Sequence, residues 1–196
     1  MINRFWWLFI ICFSLITLSA CGTETVLLSG SLSSPEVHTE NGLKLLSAGK
    51  IEGSLREFSM AVELSPNYSR AYEGLSRIHI IRNEFKESFS DISKARAYAK
   101  SEEELHLALI GYLRLYAVAN DKLSADWLAK AQTVYQEVCG KWKSDPAVHF
   151  FMGLAYKNAD QFEKAEARFL DVINIDNGYI LEADSEYADM QRKKNH

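Results

Sequence analysis

The chain repeats itself at a fixed spacing, and this constrains its fold more than any other feature. Gly42 is echoed by Ser76, Ile51 by Phe85, Ser54 by Ser88, Phe58 by Ile92 and Ala61 by Ala95, each pair 34 residues apart. Small residues meet small and apolar meet apolar at that period, the mark of stacked helical hairpins. Within each unit the apolar residues recur at helical spacing, as in Leu75, Ile78 and His79 beside Phe85, Phe89 and Ile92. The expected fold class is therefore all-α, a solenoid that presents a surface.

The residues in register carry a family pattern. In the stretch from Pro35 to Tyr68, His38, Asn41-Gly42, Leu45, Ser54, Phe58, Ala61 and Pro66 occupy Trp, Leu-Gly, Tyr, Ala, Phe, Ala and Pro positions in turn. From Ser69 the same slots hold Tyr72, Leu75-Ser76, His79, Ser88, Ile92 and Ala95, with Lys100 in place of the proline. The fullest match opens at Pro146, with His149, Met152-Gly153, Tyr156, Ala165, Phe169 and Val172. The chain resembles the tetratricopeptide (TPR) repeat proteins. That resemblance implies about four hairpins, over residues 35–68, 69–102, 103–145 and 146–179, followed by a capping helix over 180–193. Ile180, Ala183, Tyr187 and Met190 line one face of that last helix.

The third unit is longer. Ser76 to Gly153 and Ser88 to Ala165 are each 77 residues apart, which leaves nine extra residues between Leu113 and Ala131. The first helix of this unit is expected to run about two turns past its neighbours, turn at Asn120-Asp121 and restart near an N-cap at Ser124. Two readings stay open: a neutral length variant, or a protruding ridge carrying Tyr116 and Trp127.

At the N-terminus an almost wholly apolar stretch from Phe5 to Ala20 follows Arg4 and ends in Leu18-Ser19-Ala20-Cys21. It is short for a comfortable span and has no basic stop behind it. The run resembles a bacterial lipobox, which implies a signal peptide over 1–20 and lipid (palmitate) attachment at Cys21. An uncleaved signal anchor is the alternative. Gly22 rather than Asp after the cysteine implies the outer membrane, on its periplasmic face, if the source is a diderm. Residues 21–34 are small and hydroxyl-rich and read as a tether.

Charge and chemistry narrow the function. The whole chain carries a net charge of −4, and losing Arg4 with the signal makes it more acidic, which argues against nucleic acid. With Cys12 in the signal and Cys21 lipidated, Cys139 stands alone, either a small apolar residue or a redox sensor. No metal, phosphate or nucleophile motif is present, so no enzyme activity and no cofactor is expected. His38, His106 and His149 share one slot and read as packing residues.

The TPR resemblance implies a concave groove lined by the first helix of each hairpin. It places Leu43, Arg70, Glu73, Arg77, Leu107, Arg114, Phe150 and Leu154 there as candidate partner-binding residues, with Glu40, Gly74, Gly111 and Lys157 beside them. The alternative partner site is the ridge with Tyr116 and Trp127. The arginines of the groove also have a plain reading, as residues that keep the face wet. The expected function is a lipid-anchored envelope scaffold or adaptor that holds a protein or peptide segment for a secretion, pilus, polysaccharide-export or surface-layer system. The alternative is a regulatory or accessory subunit of a cell-wall enzyme.

Overall fold

The structure, a computed structural model, describes residues 34–194, with side chains through Arg192. Nine α-helices and no strand are present among these residues. They are α1 Pro35–Ser47, α2 Ile51–Leu64, α3 Ser69–Ile81, α4 Phe85–Tyr98, α5 Glu102–Ala119, α6 Trp127–Cys139, α7 Pro146–Asn158, α8 Phe162–Ile175 and α9 Ile180–Lys194. The expected signal, the tether through Ser33 and Cys21 lie outside the described residues.

Local chemistry starts and stops these helices where the repeat predicts. Pro35 and Pro146 open α1 and α7, and the side chains of Ser34 and Asp145 accept from the Val37 and Ala147 N–H groups at 3.3 and 2.8 Å. At the other end, Gly49, Asn83 and Asp160 take positive φ values of 70°, 60° and 55° at equivalent positions. The next N–H then turns back, from Lys50 to the Leu45 carbonyl, from Glu84 to His79 and from Gln161 to Tyr156, at 2.8–2.9 Å. One left-handed residue thus closes α1, α3 and α7, and each second helix starts two residues later.

Packing follows from small residues facing large ones. The fully buried Phe58 ring lies between Gly42 of its own hairpin and Gly74 of the next, and a Cβ at either position would come within 2.7 and 2.3 Å of it. Ile92 uses Gly111 in the same way, and Phe169 uses Gly153, at 2.3 and 2.7 Å. Ser54 donates its Oγ–H to the Gly42 carbonyl at 2.7 Å, and Ser88 sits 2.9 Å from Ser76 Oγ, so these small residues lock each hairpin. Gly74 and Gly111 are therefore packing residues beneath the concave face.

First helices of successive hairpins touch, α1 with α3, α3 with α5 and α5 with α7, while the second helices spread apart. The first helices form the inner row of a curved stack. Helix α9 covers α8 and reaches α7, with Ala183 and Met190 fully buried beneath it and Tyr187 donating to Glu166 at 3.0 Å. The chain is an α-solenoid of four hairpins and a cap.

The first helix of the third hairpin overruns its neighbours and turns at Asn120 as expected, but by a shorter length and without the expected cap. Helix α5 has 18 residues against 13 in α1, α3 and α7, and the remaining extra residues form a 3₁₀ turn at Asn120–Lys122 with its following loop. Helix α6 begins at Trp127 and not at a cap on Ser124, whose hydroxyl instead bonds the Asp126 carboxylate.

Candidate functional site on the concave face

The inner row places the candidate residues on one surface but gives them unequal parts. Leu43, Arg70, Arg77, Leu107, Arg114 and Leu154 are half-buried there, from α1 through α7. Glu73 and Phe150 lie below them, buried. The plain reading of the arginines fails at two positions, because Arg77 and Arg114 are built into a cluster.

Helix geometry brings that cluster together. Glu73 and Arg77 are one turn apart on α3, so the Arg77 Nε donates to Glu73 Oε1 at 2.6 Å. From α5, Arg114 Nη1 donates to the same oxygen at 3.0 Å. Gly111, one turn before Arg114, makes room: its Cβ position lies 3.9 Å from Glu73 Cγ. The Arg114 guanidinium also stands over the Phe151 ring, 4.9 Å from its centre. Burial alone would raise the Glu73 carboxyl, but the two guanidiniums more than offset it and hold it below its ordinary value. Burial, then the charge of Arg77, pushes Arg114 down despite Glu73.

Part of the groove floor on α7 is covered. Tyr179, in the α8–α9 connection with φ 59°, stacks on Phe150 at 4.9 Å and meets Phe151 edge-on at 5.7 Å. Phe150 is thus the floor under a tyrosine and not an open contact. Lys157 lies between Glu186 and Asp189 of α9, 2.5 Å from each. Burial would lower its pKa, but these hydrogen bonds raise it, so it fastens the cap.

The alternative site is not a ridge. Tyr116 and Trp127 are 5% and 8% exposed, part of the core, and Tyr116 stacks on Tyr112 with ring centres 6.1 Å apart. The overrunning end of α5 packs along α7, and Asn158 donates to the Ala117 carbonyl at 2.8 Å. Extra helix here is buried against the next hairpin.

The shared-slot histidines are held by neighbours. His38 Nδ1 meets Glu57 at 2.8 Å, and His106 stacks on Trp142 at 4.5 Å. His149 donates from Nε2 to the Lys143 carbonyl at 2.7 Å and accepts from Tyr135 at 3.0 Å. The hollow between α6 and α8 holds this His149–Tyr135 pair with Arg168, Asp171 and Cys139. Arg168 donates to the Tyr135 hydroxyl and pairs with Asp171 at 2.9 Å, so the network is internally matched. Burial pushes the free Cys139 thiol up, away from a reactive thiolate. No metal-holding group of His, Cys, Asp or Glu occurs among the described residues. No helix there is long and apolar enough to cross a membrane.

No protein-family model and no curated relative matches the chain. Solved structures do. A thermophilic TPR protein from Thermus thermophilus superposes with a TM-score of 0.68 at 18% identity, covering 82% of each chain. YrrB, a TPR protein with an unusual peptide-binding site, gives 0.52 at 18% identity over 90% of this chain and 86% of its own. MamA from Desulfovibrio magneticus RS-1 gives 0.55 at 15% identity over 82% and 85%. At these identities the likeness is one of fold, and that fold is the TPR-type solenoid.

Proposed function

We propose that this protein is a lipid-anchored scaffold of the bacterial cell envelope that holds a protein segment in its concave groove. The carrying observation is the inner row itself, where Leu43, Leu107 and Leu154 from three hairpins stay half-open beside Arg70 and Arg77. Mixed apolar and cationic surface of this kind suits an extended or helical polypeptide. YrrB, of like fold, has an unusual peptide-binding site, which agrees with such a use. Anchoring rests on Leu18-Ser19-Ala20-Cys21. Two or three acyl chains on Cys21 would hold the solenoid at the membrane almost permanently, each buried CH₂ adding about 0.8 kcal/mol. Tethered there, the groove would serve the assembly of a secretion, pilus, polysaccharide-export or surface-layer system.

Two measurements test this reading. Labelling with a palmitate analogue is expected for the wild type and lost in Cys21→Ser; equal labelling of both overturns the anchor. Crosslinking in intact membranes is expected to join a protein partner to α1, α3, α5 or α7, with Leu107→Asp reducing the yield severalfold. Partners joined only to the second helices would overturn the groove.

A further inference from the structure

The charges on the inner row do not balance at its centre. Arg77 and Arg114 share a single carboxylate, and both donate to the same Glu73 oxygen. Two guanidiniums against one carboxylate leave one positive charge in excess. The side chains are 29%, 14% and 6% exposed for Arg77, Arg114 and Glu73, so water shields this excess poorly. The Phe151 ring beneath Arg114 softens the charge without cancelling it.

We infer that the Arg77–Arg114 pair is a seat for an acidic side chain of the bound polypeptide. The inference rests on the groove reading above and adds the chemistry of its occupant. A guanidinium presents five N–H donors, and Glu73 takes one from each arginine. Donors therefore remain for a second carboxylate, which would complete a matched two-and-two cluster through charge-assisted bonds. The seat lies between α3 and α5, and the inner row continues on both sides, to α1 and to α7. A chain occupying the groove passes over this point and does not end at it. The carboxylate is accordingly an Asp or Glu side chain and not a terminal carboxyl.

The test is a selection of random linear peptides, fused at both ends so that no terminal carboxylate is free, against the full chain in mild detergent. Photo-crosslinking then maps where the selected peptides sit. The expected result is peptides crosslinked to the inner row that carry a recurrent Asp or Glu. Exchange of that residue for Gln should weaken binding about tenfold, and selection against Arg77→Gln should lose the acidic preference. The peptide-side exchange uses wild-type protein, so it decides the matter even if Arg77→Gln does not fold. Inner-row peptides without an acidic preference, or an equal preference in Arg77→Gln, overturn the seat and leave the groove standing. Peptides bound elsewhere, or no enrichment, overturn both.

Discussion

The interior of the hairpin stack and its concave face are held together by different physics. Inside, Phe58, Ile92 and Phe169 press on Gly42, Gly74, Gly111 and Gly153, and the limit is volume. On the concave face Glu73, Arg77 and Arg114 depend on one another, and the limit is charge. The interior should therefore punish changes of size and the face changes of charge. Phe58→Ala breaks the interior most severely, because one ring fills the space between two hairpins and is wholly buried. A loss of about 3–5 kcal/mol in denaturant unfolding is expected.

On the face, the corresponding change is Glu73→Gln. It keeps shape and strands two guanidiniums in poorly shielded surroundings. The expected loss is roughly 2–3 kcal/mol, below that of a fully buried pair because Arg77 still reaches water. The Arg77→Glu, Arg114→Glu double variant would gather three carboxylates at one place and is expected to unfold the region. It is thus a poor test of binding. Unfolding curves at neutral pH check both statements, and a neutral Glu73→Gln would show that the two arginines do not depend on this carboxylate.

Ala165→Leu returns to the interior with a smaller expected effect. Ala165 is fully buried on α8, at the register where Ser54 touches Gly42 in the first hairpin. Its added bulk has nowhere to go, and about 1–3 kcal/mol should be lost in a thermal or denaturant melt. No loss would mean that the fourth hairpin packs more loosely than the first.

The interior was largely legible in the sequence because its rule is periodic. A 34-residue echo of small and large residues places Gly42, Ser54 and Phe58 in one hairpin and their counterparts in the next. What it does not show is contact between units, which depends on the angle of stacking. Gly74 reads as groove surface until Phe58 is seen against it. Of the two readings of the insertion, the ridge with Tyr116 and Trp127 takes inserted residues to protrude, whereas an extra helical turn parallel to α7 is buried instead. On the face, the one-turn spacing of Glu73 and Arg77 was a usable signal for their ion pair. The arrival of Arg114 from α5, and of Tyr179 on a left-handed residue, was not. Both depend on the curvature of the whole stack.

The subtlest consequence of the comparison is that two carboxyls should titrate in opposite directions. Asp91 belongs to the interior: it is buried on α4, 2.8 Å from His79 Nδ1. Its burial outweighs His79 and Lys94 and raises its pKa. Glu73 belongs to the face, where burial loses to Arg77 and Arg114 and the pKa is lowered. Folded Glu73 releases its proton more readily than the unfolded chain does. Its contribution to stability is thus present above the unfolded value of about 4.3 and is lost as pH falls through the lower folded value. Asp91 binds its proton more tightly when folded, so its contribution is present below about 3.9 and is lost as pH rises through the raised folded value. Carboxyl carbon NMR should place the Glu73 midpoint below the ordinary range and the Asp91 midpoint above it. In melts, Asp91→Asn should gain on the wild type as pH rises from about 4 toward neutrality, because the variant has no proton to lose. Glu73→Gln should lose ground on the wild type at lower pH, as pH rises from the lowered folded value to about 4.3, and keep a constant deficit above it. If Asp91 titrated below Glu73, the partners would win in the interior as well, and the division between a packed inside and a face held by paired charges would not hold.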